Sequence, residues 1–378
     1  MATPLCPYFG SCGGCTTQHI EYATQIENKK KQLFQITKFP EIKVFSGKEY
    51  FYRNRMDFIF LNKSMGLRKK GFWDKIVPIE QCVIAEEKIN SFMKEINSFF
   101  QAYDAFDLRR HTGTFRYAVI RSTPEDSSIS FVVNSNSSRL AEAIEKIKDY
   151  AKISIAKNIL VTYVPENSDQ SISLEYFIVK GKDFLQTSYK EKKLSYSIQG
   201  FFQNNHTMAE KMQEYVTELV TKYETKNATL LDLYAGVGTF GIMNAEFFKE
   251  VVIVESVKAS IDAAKRNIEQ NAINNAKAIL LDAKQLSRIE IKPPLFLITD
   301  PPRSGMDQKA ITIVNQQKPE VILYISCNPQ QLGKDLLKFR GYEIKSIGLF
   351  DLFPQTPHSE AVIELCRKVN EKKTKEEY

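Results

Sequence analysis

Two textures of apolar and polar positions divide the chain. Between about residues 44 and 200, apolar residues come in short alternating or β-branched bursts. These are Asp57 to Leu61, Tyr117 to Arg121, Ile129 to Val133, Ile159 to Val164 and Ile172 to Val179. Such bursts predict short strands. Helical spacing over about 84–101 and 138–151 interrupts them, and serine-rich turns such as Asn134–Ser138 separate the elements. The mixture predicts an α+β unit. Beyond about residue 205 the texture changes. A helix over 207–224 leads to Thr229–Tyr234, and Gly236-Val-Gly238 opens another helix. Val251–Glu255 precedes a helix over 257–273, and Ala278–Asp282, Leu295–Asp300 and Val321–Ser326 follow. These strands are continuous apolar runs, as expected where helices cover both faces. Alternating strand and helix predict a doubly wound α/β sheet. A polar helix over 18–37 follows a cysteine-rich start.

Composition narrows the class. The 378 residues allow two or three domains. Hydrophobic residues at 43% and charged residues at 26% exclude disordered, collagen-like and coiled-coil chains. No run approaches the ~18 apolar residues of a membrane helix. The start shows no secretory signal, so a cytoplasmic location is expected. Four segments are expected: 1–43 carrying the cysteines, 44–200 as the α+β unit, 201–370 as the doubly wound domain, and 371–378 as a polar tail.

The net charge of +7 permits an anionic partner without requiring one. Basic residues gather at Lys29–Lys31, Arg68–Lys70, Arg109–Arg110 and Lys190–Lys193, the last interrupted by Glu191. Each run alone reads as a solvated turn. With Tyr50, Tyr52, Phe72, Trp73 and Tyr117 they point to an RNA surface.

Cys6, Cys12 and Cys15 lie within ten residues, among Gly10, Gly13 and Gly14, which let the backbone wrap closely. Three soft thiolates suit zinc or an iron–sulfur cluster, and spacing alone does not separate the two. Cys82 is next along the chain. The alternative is three unrelated reduced thiols.

Two further constellations lie in the doubly wound region. Asp232-Leu-Tyr-Ala-Gly236-Val-Gly238 ends the first strand, Glu255 the second and Asp282 the third. Glycines admit a ligand to the backbone, and a carboxylate at the second strand's end can take two ribose hydroxyls. The glycine pattern is not the three-glycine dinucleotide form, so S-adenosylmethionine is favoured over NAD. Asp300-Pro-Pro-Arg303-Ser-Gly305 and Ser326-Cys327-Asn328-Pro329 follow the later strands, and His358-Ser-Glu360 comes near the end. Amino-group methylases commonly place an aromatic residue where Arg303 stands, which speaks against amine methylation. Cys327 at a strand end suggests covalent catalysis, against the alternative of a buried small hydrophobe.

Together these motifs resemble the RNA uracil-C5 methyltransferase family, over nearly the whole chain. The resemblance implies a Rossmann-like S-adenosylmethionine domain. It implies Cys327 as nucleophile and Glu360 as base. Gln203, Tyr234, Glu255, Asp282 and Asp300 match cofactor contacts, and Cys6, Cys12, Cys15 and Cys82 match ligands of a [4Fe–4S] cluster. Many relatives begin with a small β-barrel of the TRAM type, whereas this chain starts at the cysteine motif. That departure favours 23S rRNA as substrate, with the tRNA T-loop as the alternative. A non-catalytic iron–sulfur RNA-binding protein is the reading from another class. No obligate protein partner is inferred.

Overall fold

Thr229–Leu233 is buried along its whole length, and strands assemble on both sides of it. The resulting eight-stranded sheet runs in the order Ile42–Phe45, Tyr342–Phe350, Glu360–Arg367, Val321–Ser326, Leu295–Thr299, Thr229–Leu233, Glu250–Glu255, Ala276–Leu280. The five strands from Val321–Ser326 to Ala276–Leu280 are mutually parallel, as the continuous apolar runs predict. One strand departs from the wholly parallel expectation. Glu360–Arg367 is antiparallel to both of its neighbours, so it begins at the edge where Val321–Ser326 ends. Ile42–Phe45 adds a parallel strand beyond Tyr342–Phe350.

The computed structural model describes residues 1–368, so the tail expected at 371–378 lies outside the described residues. The described chain separates into two compact units that are discontinuous in sequence. One takes Met1–Lys29, Ser46–Glu210 and Asp351–His358. The other takes Lys30–Phe45, Lys211–Phe350 and the residues from Ser359 on, and it contains the eight-stranded sheet. The cysteine-bearing start therefore groups with the α+β region.

In that first unit a seven-stranded sheet runs Ile76–Pro78, Ser64–Arg68, Arg55–Leu61, Phe115–Ser122, Ser127–Asn134, Asn158–Val164, Tyr176–Lys180. Helix Glu87–Phe99 buries Ile89, Phe92, Met93 and Ile96, the i, i+3, i+4, i+7 stripe of an amphipathic helix. Phe60, Phe100, Phe115, Phe131 and Tyr150 form an aromatic core there, with Phe100 and Phe131 rings 5.4 Å apart. The strand expected from Ile172 starts instead at Tyr176, paired with Thr162. Strand Ser64–Arg68 shows why a short polar strand escapes a periodicity reading: the apolar alternation is too sparse there. Among the described residues no helix is long and apolar enough to cross a membrane.

Candidate active site

The parallel strands deliver their carboxyl ends to one edge of the sheet, where ligands of doubly wound proteins bind. Leu233, Thr299 and Tyr324 lie side by side in register, so Tyr234, Asp300 and the Ser326–Cys327 step emerge together. Glu360 joins them because its strand is reversed. Ser326 pairs with Ala361, which sets Cys327 and Glu360 at the same level of adjacent strands.

The placement sets the electrostatics of these groups. Burial first, then the nearby carboxyls of Glu360 and Asp300, push the Cys327 thiol up to about 11, while Arg303 pulls it down. Glu360 is almost fully buried, at 5% exposure. Burial and Asp300 hold its carboxyl well above the usual range, and Arg303 again opposes them. Burial likewise lifts Asp300 to about 7. Asp232, buried in the first strand, also rises to about 7, from burial and then from Asp300 and Glu255 against a hydrogen bond from Gly241 N. The edge is thus crowded with carboxyls that disfavour one another's charge. Such a place favours a cationic ligand.

The loops that carry these groups are tied down. Asn328 Nδ2 donates to the Arg303 carbonyl at 2.9 Å, joining the loop after Leu295–Thr299 to the loop after Val321–Ser326. Asp335 is fully buried and accepts from Tyr324 Oη at 2.7 Å and from Met306 N at 2.9 Å. Gly305 makes this possible: its φ is +80°, and a Cβ there would stand 2.3 Å from Asp335 Oδ2. No motif in the sequence marks Asp335. A lone carboxylate within a helix carries no periodic signal.

The expected cofactor residues are placed as follows. Glu255 Oε2 accepts from Gly236 N at 3.1 Å, and its Oε1 accepts from Ser256 N and Val257 N at 2.7 and 2.9 Å. The carboxylate thus clamps the glycine turn. Tyr234 adopts a left-handed φ of 59°, strained for a tyrosine, and its hydroxyl accepts from Asp307 N at 3.2 Å. Asp282 is exposed and caps the next turn through Lys284 N. Gln203 belongs to the other unit, where Asn54 Nδ2 donates to its carbonyl at 3.2 Å.

In that other unit the N-terminal cysteines approach Cys82. Burial raises Cys15 to about 12, and Cys82, Cys6 and Cys12 each add to the rise. Cys82 is raised by burial and by Cys12 and Cys6, against hydrogen bonds from the backbone of Ile84 and Ala85. Gly14 N donates to Cys12 Sγ at 3.4 Å. Asn90 grips the Cys82 backbone reciprocally at 2.8 and 3.0 Å. Thiols gathered in this way, with an N–H donor on the Cys12 sulfur, are the donor type that a thiolate-ligated cluster takes. Among the described residues no three His, Cys, Asp or Glu converge as a single ion would require.

Two expectations about the RNA surface need correction. Lys29 is not a surface charge: it is 4% exposed and sits 2.6 Å from Asp351. Tyr52 and Tyr117 are buried at 6% and 7% and cannot face a ligand. Both tyrosines lie where period-two packing or a loop contact buries the ring.

Comparison with known proteins gives the family. Residues 21–368 match the family described as tRNA (Uracil-5-)-methyltransferase. The tRNA (uracil(54)-C(5))-methyltransferase of Pyrococcus abyssi is 31% identical over 367 residues, covering 96% of this chain and 85% of that protein. An uncharacterized RNA methyltransferase of Caldanaerobacter subterraneus subsp. tengcongensis is 32% identical, covering 94% and 83%. The crystal structure of the Pyrococcus abyssi tRNA (uracil-54, C5)-methyltransferase in complex with S-adenosyl-L-homocysteine superposes with a TM-score of 0.79 at 28% identity. That match covers 94% of this chain and 86% of the other. The chain belongs to the tRNA (uracil-5-)-methyltransferase family and is an S-adenosylmethionine-dependent RNA uracil-C5 methyltransferase.

Proposed function

We propose that the substrate is tRNA and that the product is 5-methyluridine in the T-loop, at the position corresponding to uridine 54. The observation that carries this reading is the near full-length similarity to proteins named for that reaction. It displaces 23S rRNA, the preferred expectation from sequence, for which none of these relatives is named.

Cys327 and Glu360 divide the chemistry. Uracil C5 is too weak a carbon nucleophile to take a methyl group unaided. Cys327 Sγ adds to C6, and the electron pair moves to C5 and O4. S-adenosylmethionine, when bound, supplies the electrophilic methyl group that C5 attacks. Glu360 then removes the C5 proton, the C5–C6 double bond re-forms and the thiolate leaves. Arg303 opposes the rise in both pKa values and so favours the thiolate and the carboxylate. Asp300 and Glu255 give the edge the negative character that suits a sulfonium ligand. Tyr234 and Asp282 complete the cofactor set of this unit in this reading; Gln203 is a cofactor contact on the family resemblance alone. The target base leaves its stack to reach an edge this enclosed.

Cys6, Cys12, Cys15 and Cys82 would hold a [4Fe–4S] cluster, a reading supported by the effect that Cys6, Cys12 and Cys82 each have on the Cys15 thiol. The cluster's role would be structural, since methyl transfer has no net electron change. Residues 44–200 form the RNA-binding part in this reading.

The test is methylation of separate tRNA and 23S rRNA transcripts with S-adenosylmethionine, mapped by mass spectrometry. 5-Methyluridine at the T-loop position of tRNA is expected. Product in 23S rRNA alone would overturn the substrate and keep the chemistry.

A further inference from the structure

The turn between strands Ser64–Arg68 and Ile76–Pro78 carries the chain's single tryptophan. Trp73 is 66% exposed and its neighbour Phe72 42%. Lys69, Lys70 and Lys75 are exposed around them. Lys75 Nζ stands 4.3 Å from the centre of the Phe72 ring and Lys69 Nζ 5.3 Å.

The acids nearby are already engaged. Asp74 is paired by Arg109 and Asp169 by Arg68. Among the described residues no ion pair joins Lys69, Lys70 or Lys75 to a carboxylate, although Lys75 stands near enough to Asp74 to help Arg109 hold its carboxyl below the usual range. The turn thus offers aromatic rings in water beside unneutralised cations. A ring stacks on an unpaired base and an ammonium pairs with phosphate, the two contacts that hold unstacked nucleic acid.

The turn is also held firm, which lowers the entropy cost of docking. Lys69 N donates to the Lys75 carbonyl at 2.8 Å and Phe72 N to the Lys69 carbonyl at 3.1 Å. Gly71 supplies the left-handed residue, at φ +77°. The Arg68 guanidinium donates to the Trp73 carbonyl and, at 3.0 Å, to Tyr117 Oη. On its other flank the turn is bound to the cysteine loop: Gly13 N donates to the Arg68 carbonyl at 3.0 Å, and Lys70 N to the Ser11 carbonyl at 2.8 Å. Cys12 stands opposite Lys69 in an antiparallel bridge.

We infer that the turn Lys69–Lys75 is an RNA-docking element. Trp73 stacks on an unpaired base of the substrate, Lys69, Lys70 and Lys75 take phosphates, and the cysteine loop fixes the turn in position. The inference rests on the RNA methyltransferase reading and is independent of which RNA is methylated.

The single tryptophan makes the test direct. The holoprotein is titrated with a fluorescein-labelled tRNA transcript and, separately, with a labelled 23S rRNA fragment. Label anisotropy and tryptophan emission are followed together, and methylation is assayed in parallel. Binding of substrate RNA should quench Trp73 saturably and shield it from acrylamide. Trp73→Ala should raise KM for RNA about 5- to 150-fold, the range of one lost base–aromatic stack, with kcat at saturating RNA within twofold. Trp73→Phe should restore most of the affinity. RNA that binds by anisotropy and is methylated while Trp73 emission stays unchanged would overturn the inference, as would a Trp73→Ala affinity within twofold of the parent. Failure of tRNA to bind, together with quenching by the 23S fragment, would sink the tRNA reading and leave the docking element standing. Binding of neither RNA would overturn both.

Discussion

Cysteine occurs in two settings in this protein, and the neighbours separate them. Cys327 sits at a sheet edge with Glu360, Asp300 and Arg303. Cys12, Cys15 and Cys82 sit in the other unit, and their chief electrostatic neighbours are cysteines. Burial raises every one of these thiols. At Cys327 the opposing influence is a guanidinium, and the companion groups are carboxyls that accept protons. In the N-terminal set the opposing influence is hydrogen bonding, and the proposed metal centre would supply the positive charge that several thiolates need to stay together. In the proposed reading the first setting makes a nucleophile and the second a ligand cage. Residue type alone does not decide between them.

The sharpest way to break that contrast is to remove the nucleophile. Cys327→Ala should lower methyl transfer at least ~10⁴-fold while RNA and cofactor binding persist. Product measured as 5-methyluridine by mass spectrometry at near-parent rates would end the covalent reading. Glu360→Gln should cost about 10²–10⁴-fold in kcat. Because the C5 proton then stays, a protein–RNA adduct should accumulate and appear as an SDS-stable band, absent from the Cys327→Ala variant.

Arg303→Ala sharpens the electrostatic half of the argument. The guanidinium lowers the Cys327 pKa, so its loss raises it and leaves less thiolate at a given pH. We expect about a tenfold drop in kcat/KM near neutral pH, shrinking as pH rises. In the parent, kcat/KM should itself climb from pH 7 to 9, because the thiol lies near 11. A flat profile would contradict this.

Cys15→Ser probes the other setting. It should abolish bound iron, read as loss of iron and acid-labile sulfide. At saturating RNA it should change kcat by no more than about threefold, since this thiol takes no part in bond making. The smallest effect concerns stability. Asp300 titrates near 7 when folded, against ~3.9 unfolded. A raised folded pKa means that its contribution is fully present below about pH 4 and is lost as pH rises through 7. Asp300→Asn should therefore raise Tm by a few degrees at pH 8, with the gap closing towards pH 4, while impairing catalysis.

Much of the sheet edge was legible in the sequence, because buried parallel strands are long apolar runs and the candidate residues fall at or just after their ends. Glu255, Asp300 and Cys327 all follow that rule. Glu360 does not: it begins a strand rather than ending one, and only the reversal of Glu360–Arg367 brings it beside Cys327. Pattern alone does not give strand direction. Gln203 rests on the family resemblance, with no local signal for its role. The basic runs were the least reliable guide. Lys29 reads like its neighbours Lys30 and Lys31, yet an ion pair with Asp351, more than three hundred positions away, buries it. Phe72 and Trp73 read like Tyr52 and Tyr117, but only the first two lie in a turn that leaves them exposed. Long-range pairing sorts such residues, and local sequence does not encode it.

The central claim is that Cys327 forms the bond to the base. The most direct measurement uses a tRNA transcript carrying 5-fluorouridine at the T-loop position, where fluorine cannot leave as a proton. With S-adenosylmethionine present, the account predicts a one-to-one covalent complex, with the modified peptide containing Cys327. An adduct on any other cysteine, or continued methylation of ordinary tRNA with no adduct on the fluorinated RNA, would contradict it.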